Sequence, residues 1–357
     1  MTAMRKYLLA LMCLQLPVLA HAERPSPASV AAPVNQPERY ARRCQSQASQ
    51  RTVKPQGTML WGTRRSWDTE KVADERSSVL VSVGLEPLQS ADGQVKALQL
   101  EGGRLVPASI TALAPRAPTG TGIIGTVLQG TASDGKPVEV AICGAEPSPE
   151  DPGMVWYRIE AWNAVAQDWE NPCVALNRVP DPRALALSGV WDASGAHHDV
   201  PGKFTFACEN GALTKCVNWG YKPWARRDGQ ALADFHQACT RMARADYCGN
   251  GRSHTHEDTA LDIYDRLGVL ARTTESSAGW ELALASFEAA WAPDGATCLA
   301  RTRDGRALET ILRECPNRFR TGAALDLGEG DRCTVSRADA SPTTALLRNQ
   351  SYGREGP

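Results

Sequence analysis

Several marks of familiar chemistry are missing from this chain of 357 residues. It has no Cys-x2-Cys pair, the usual sign of a structural zinc site, and no His-Glu-x-x-His metalloprotease motif. No acidic run has the spacing of an EF-hand, which excludes that kind of calcium loop. Gly251-Arg252-Ser253-His254 begins like a serine-hydrolase elbow but lacks the second glycine and the strand-to-helix setting. There is no basic block. The 39 Lys and Arg against 40 Asp and Glu give a formal net charge of −1, which argues against nucleic acid or an anionic membrane as partner. Beyond residue 22 no apolar run approaches the ~20 residues that cross a bilayer, so no integral membrane segment is expected in the mature chain.

What is present begins with an export signal. Arg5 and Lys6 precede the apolar run Tyr7–Leu19, and Ala20-His21-Ala22 is an A-x-A cleavage site. Residues 1–22 therefore read as a signal peptide cleaved near Ala22, which places the mature protein in the periplasm or outside the cell. Cleavage removes Arg5 and Lys6 and leaves 37 basic against 40 acidic residues, a net of −3. Cys13 goes with the signal. Cys44, Cys143, Cys173, Cys208, Cys216, Cys239, Cys248, Cys298, Cys315 and Cys333 remain. An even number in an exported chain predicts as many as five disulfides. The same even count opposes a reactive thiol at Cys239 or Cys248. Cys248 also falls near a helix C-terminus, where the dipole disfavours a thiolate. Spacing does not fix the connectivity, although Cys298 and Cys315 are candidates to pair across a strand and the helix that follows.

Residues 23–43 are rich in Pro, Ala and Ser and read as a disordered leader. Residues 44–115 form a small β-rich region, 116–340 the main domain, and the polar 341–357 a disordered tail. Strand candidates include 79–83, 95–100, 138–143, 155–162 and 203–208, where polar and apolar positions alternate or β-prone residues cluster. Asn210-Gly211 suggests a hairpin into 215–219. Pro293-Asp294-Gly295 suggests a tight turn between strands at 282–291 and 297–301. A seven-residue echo, G-T-x-L-x-G-T, occurs at 57–63 and 125–131 and suggests two similar β units. The clearest helix spans about Gln230 to Tyr247, with Asp228 as cap and Gly249 as stop; Leu232, Phe235, Cys239, Met242 and Ala243 fall on one stripe, and Arg241 faces away. A shorter helix follows Asp304. The fold class is α+β: β-rich, disulfide-stabilised, with one main amphipathic helix.

Chemistry concentrates between His236 and Asp265. His236, Asp246, His254 and His256 are the candidate catalytic residues, as acids or bases. His254 and His256 share a face if extended, and with Asp262 they are the candidate metal ligands. The structural alternative for Asp246 is that it accepts N–H bonds from the 248–253 loop and fixes its path. No cofactor is expected. Of ten tryptophans, Trp219, Trp224, Trp280 and Trp291 sit in strand-like runs and read as core, whereas Trp61, Trp67 and Trp169 are candidates to stack on a carbohydrate.

Six phrases belong together: LSGVWD at 187–192, FTFAC at 204–208, GALTKCVNWGYKPW at 211–224, HQACTRMARADYCG at 236–249, DIYD at 262–265 and FEAAWAPDGATCLARTR at 287–303. They resemble the ADYC domain family, named for the motif at Ala245–Cys248. The segment 172–185 departs from that pattern, lacking the glycine after the cysteine. The resemblance implies an exported bacterial protein of the envelope or extracellular space, and makes 116–340 an ADYC-like domain. It carries no catalytic residue across. The reading that follows is a cell-envelope or extracellular binding or interaction module, its partner an envelope component or a carbohydrate. A hydrolase, metal-dependent or not, using the His236–Asp265 region is the alternative, and a purely structural secreted protein the third.

Overall fold

Alternation along the β-prone runs is what closes the first half of the molecule into a barrel. The computed structural model describes residues 36–46, 58–67, 75–108 (apart from 91–94 and 96), 121–256 and 259–352. The signal peptide, most of the leader and Gly57 lie outside them. Six strands, β1 (Ser82–Gln89), β2 (Val127–Thr131), β3 (Pro137–Pro147), β4 (Val155–Asn163), β5 (Ala184–Ser188) and β6 (Lys203–Cys208), run in the order β3-β2-β1-β6-β5-β4, and a β3–β4 pairing closes the ring. Their inward positions fill the lumen: Val83, Leu128, Val140, Ile142, Tyr157, Ile159, Phe204 and Phe206 pack in one cluster. Each large apolar side chain so buried contributes about 1.5–3 kcal/mol. Closing the sheet removes its edges, which would otherwise present unpaired backbone groups.

A second layer follows. Five antiparallel strands, β7 (Leu261–Asp265), β8 (Ala285–Ala292), β9 (Gly295–Leu299), β10 (Val335–Ser336) and β11 (Leu347–Tyr352), are ordered β7-β11-β8-β9-β10. Four helices were found among the described residues: α1 (Gln36–Ala41), α2 (Ala212–Asn218), α3 (Ala233–Arg244) and α4 (Leu308–Glu314). Phe235, Cys239 and Met242 of α3 pack with Trp291 and Leu347 of the sheet in a second core. Leu213 and Val217 of α2 pack with Leu60, Trp61 and Trp191 in a third, beside the barrel. No helix among the described residues is long and apolar enough to cross a membrane.

All ten expected cysteines are paired, as Cys44–Cys143, Cys173–Cys208, Cys216–Cys239, Cys248–Cys315 and Cys298–Cys333. Cys298 thus joins Cys333 and not Cys315, because the strand containing Cys298 lies beside the segment entering β10. Several other expectations are corrected. Residues 347–352 are an interior strand of the second sheet, between β7 and β8, and not part of a disordered tail, and 36–41 of the leader are helical. The regions 44–115 and 116–340 are not separate, since β1 lies between β2 and β6 of one barrel. Asn210-Gly211 does not turn a hairpin; Gly211 is the N-cap of α2. Of the sequence echo, 58–63 is irregular and 127–131 a barrel strand. The main helix is shorter than expected. Leu232 is its N-cap, Ala245 ends it in the left-handed conformation, and Asp228 sits in an exposed turn instead. It is also covered on nearly every side, with Phe235 through Arg244 all buried.

Candidate functional site

Ala245 turns the chain out of α3 with φ 50° and ψ 40°, a conformation uncommon for a residue with a Cβ. That turn aims the next three side chains in different directions, and each is consumed by the fold. Asp246, fully buried, accepts from the backbone N–H of Asn250 at 3.0 Å and of Gly251 at 2.9 Å. The Arg241 guanidinium donates to the same carboxylate at 2.6 Å. Arg241, expected to face away, is 3% exposed and also donates to the carbonyls of Ser194 and Pro293. A carboxylate and a guanidinium removed from water this far need such partners, because desolvation costs several kcal/mol per ion. Tyr247 donates its hydroxyl to Glu288 at 3.1 Å and accepts from the Arg303 N–H at 2.8 Å. Burial, with the Glu288 charge adding to it, raises its pKa well above 10. Cys248 closes the disulfide to the residue after α4.

Behind Tyr247 lies an ion pair with no exposure at all. Arg303 donates to both oxygens of Glu288 at 2.9 and 3.0 Å, and to the Met242 carbonyl at the end of α3 at 2.8 Å. A cation there also meets the negative end of the helix dipole. Asn349 at 3.0 Å and Ser351, both of β11, complete the carboxylate's partners. Burial alone raises the Glu288 pKa, but Arg303, Ser351 and Asn349 outweigh it and hold the group below its ordinary value. Neither Glu288 nor Arg303 was read from the sequence as important. The available signal was a charge inside the apolar run Phe287-Glu288-Ala289-Ala290-Trp291.

The histidines separate. His236, 1% exposed, gives its Nε2–H to the Leu213 carbonyl at 3.0 Å and packs edge-on against Trp191. Burial lowers its pKa to about 4. His254 is 2% exposed; its Nδ1 faces the Ala245 carbonyl at 3.0 Å and its Nε2 the Glu314 carboxylate at 3.1 Å. This staples the loop after the motif to α4. Asp262 accepts from the Thr273 hydroxyl at 2.7 Å. Of the candidate site residues, His256 alone is exposed. The structure therefore gives His236, Asp246, His254 and Asp262 each its own internal partners and does not bring them together around a shared atom. Among the described residues the one group of three potential ligand atoms within 4.8 Å is Cys44, Cys143 and Glu160, and its two sulfurs form a disulfide.

A solvent-facing concavity of about 440 Å³ lies beside the loop, within the range of small-molecule sites. Lys215, Asn218 and Trp219 of α2 and its C-cap form one wall, and Thr255 and His256 another. Ala243 of α3 and Leu261 and Ile263 of β7 line it too, together with Thr58, Arg178, Val179, Glu209 and Thr259. The Cys216–Cys239 bond joins α2 to α3, and Asp246 fixes the loop from which Thr255 follows. Trp219, read from the sequence as core, does pack against the second core and is only partly exposed at the cavity. Trp61 and Trp169, read as stacking surfaces, are 2% and 1% exposed, and Trp67 packs on the barrel core.

A model of the ADYC domain matches residues 120–305, more than half of the chain. No curated protein and no solved structure matches. The chain belongs to the ADYC domain family.

Proposed function

We propose that this member of the ADYC family is an exported binding module, hardened by disulfides, whose ligand sits in the concavity that α2 shares with Thr255, His256, Thr259 and the start of β7. Five disulfides favour an oxidising compartment, and with the expected signal at residues 1–22 they support secretion to the periplasm or beyond. One observation carries the choice of binding over catalysis. The acid and base groups of the motif region, Asp246, His236 and His254, are buried and bonded internally, whereas the groups facing solvent come from three separate elements around one cavity. A general acid or base must reach a substrate proton within a hydrogen bond, and buried groups with occupied partners do not. The hydrolase reading would have to rest on His256 alone, and the purely structural reading leaves the cavity without a use.

The test is a thermal-shift screen of the full chain against soluble fragments of envelope material: oligosaccharides, short peptides and acyl esters. Binding at 100 times Kd stabilises by about 2.7 kcal/mol, so a ligand should raise Tm by a few degrees and be recovered intact by mass spectrometry. Turnover of any fragment that is abolished in His256→Ala would overturn the reading in favour of a hydrolase.

A further inference from the structure

We infer that the concavity takes a neutral saccharide, with Trp219 as its stacking platform; this rests on the cavity being the binding site. The reasoning starts from which lining groups are still available. Arg178 and Lys215 already have partners, and Glu209 accepts from the backbone N–H and guanidinium of Arg183 at 3.3 and 3.5 Å. The charged groups of the wall are therefore engaged within the protein. Asn218 is exposed and its amide makes no hydrogen bond to a described residue; the same holds for the His256 imidazole and the Trp219 indole N–H. The core is mixed in this respect: the indoles of Trp169, Trp191 and Trp291 donate to Arg39, Gln237 and Asn349, whereas those of Trp61 and Trp280 are buried without a partner among the described residues; what sets Trp219 apart is that it also lines the cavity. What the cavity offers is thus an aromatic surface with its own donor, an amide with donors and an acceptor, and an imidazole. None is a fixed charge.

That combination suits a pyranose. One side of the ring presents C–H groups to an aromatic face, and its rim presents hydroxyl or N-acetyl groups that both donate and accept. A phosphate or carboxylate ligand would instead call for uncommitted cations converging on it, and a long apolar ligand for a wall without the Asn218, Thr255, His256 and Thr259 that here share it with Val179, Ala243, Leu261 and Ile263. The platform is fixed, and it is partly exposed at the cavity wall. Trp219 is the C-cap of α2, its N–H bonded to the Lys215 carbonyl at 3.0 Å, and α2 is bolted to α3 by Cys216–Cys239. A pre-positioned aromatic loses little conformational freedom when it binds.

The experiment labels the indole nitrogens of the full, oxidised chain with 15N and follows them by NMR. Cellotriose and triacetylchitotriose are the probes, with trigalacturonate, AMP and trialanine as counter-probes. The Trp219 resonance, assigned by its absence in Trp219→Phe, should move with at least one neutral trisaccharide. Trp219→Ala should weaken binding by at least tenfold. Asn218→Ala, a change at an exposed position that leaves packing alone, should weaken it by about threefold or more. If trigalacturonate, AMP or trialanine shifts Trp219 while both neutral sugars are inert, the neutral-saccharide assignment is wrong and the cavity remains the site. If the sugars bind but shift other indoles and not Trp219, or if no probe binds, the inference fails; in the first of these cases the placement of the ligand in the cavity fails with it.

Discussion

Replacing His236 by glutamine should change how stability depends on pH and not merely its level. In the folded protein the ring takes a proton only near pH 4, because burial penalises the charged form. In the unfolded chain it takes one near 6.5. Between these values the unfolded state holds more protons, so stability falls as pH falls. From 6.5 down to about 4 the loss amounts to ~3 kcal/mol, at about 1.36 kcal/mol per pH unit. Above 6.5 both states are neutral and the contribution is flat. Glutamine retains a donor for the Leu213 carbonyl and does not titrate. Urea unfolding of wild type and His236→Gln at pH 7.5, 6, 5 and 4, without reductant, isolates the effect because other titrating groups cancel in the difference. Whatever packing penalty the variant carries at pH 7.5 should shrink by ~3 kcal/mol by pH 4. Parallel curves would refute the claim that His236 is held neutral by burial in a structural role.

Two further outcomes are expected from the same assay. Glu288→Gln leaves Arg303 buried and unpaired, and should cost about 3–5 kcal/mol; hydrogen exchange should show 347–352 losing protection first, because Asn349 and Ser351 donate to that carboxylate. Gly249→Ala should cost about 3 kcal/mol or more: the residue has φ +68°, a left-handed strain of about 1–3 kcal/mol for other residues, and an added Cβ would lie 1.9 Å from the Asp294 carbonyl oxygen. Gly135→Ala, with φ +81° but open space around it, serves as the control and should show the strain alone.

Much of the barrel was legible because alternation is local: 138–143, 155–162 and 203–208 all became strands. The role of Asp246 was legible too, since a carboxylate just past a helix and before two glycines has backbone donors within reach, and the 248–253 loop supplies them. The C-terminal strand was not. Leu347-Arg-Asn-Gln-Ser-Tyr has the letters of a disordered tail, yet Asn349 and Ser351 are fully buried because Glu288 requires partners inside the core. A polar residue that serves a buried network looks the same in sequence as one that faces water. Strand order and cysteine partners were hidden for a related reason, since both are set by long-range packing. Trp61 was read as surface and is core, while Trp219 packs on the second core as expected and keeps part of its ring in the open; surface and core aromatics have the same local neighbours in sequence. What separates them is the third core formed by Trp61 with Leu213 and Val217.

The central claim is that the Ala245–Cys248 motif spends its polar groups on the fold. The unfolding free energy of Asp246→Asn tests it most directly. Losing the charge that holds Arg241 and the two loop amides should lower that free energy by about 3–5 kcal/mol. A variant as stable as the wild type, or more stable, would contradict the account and mark Asp246 as a residue kept for chemistry.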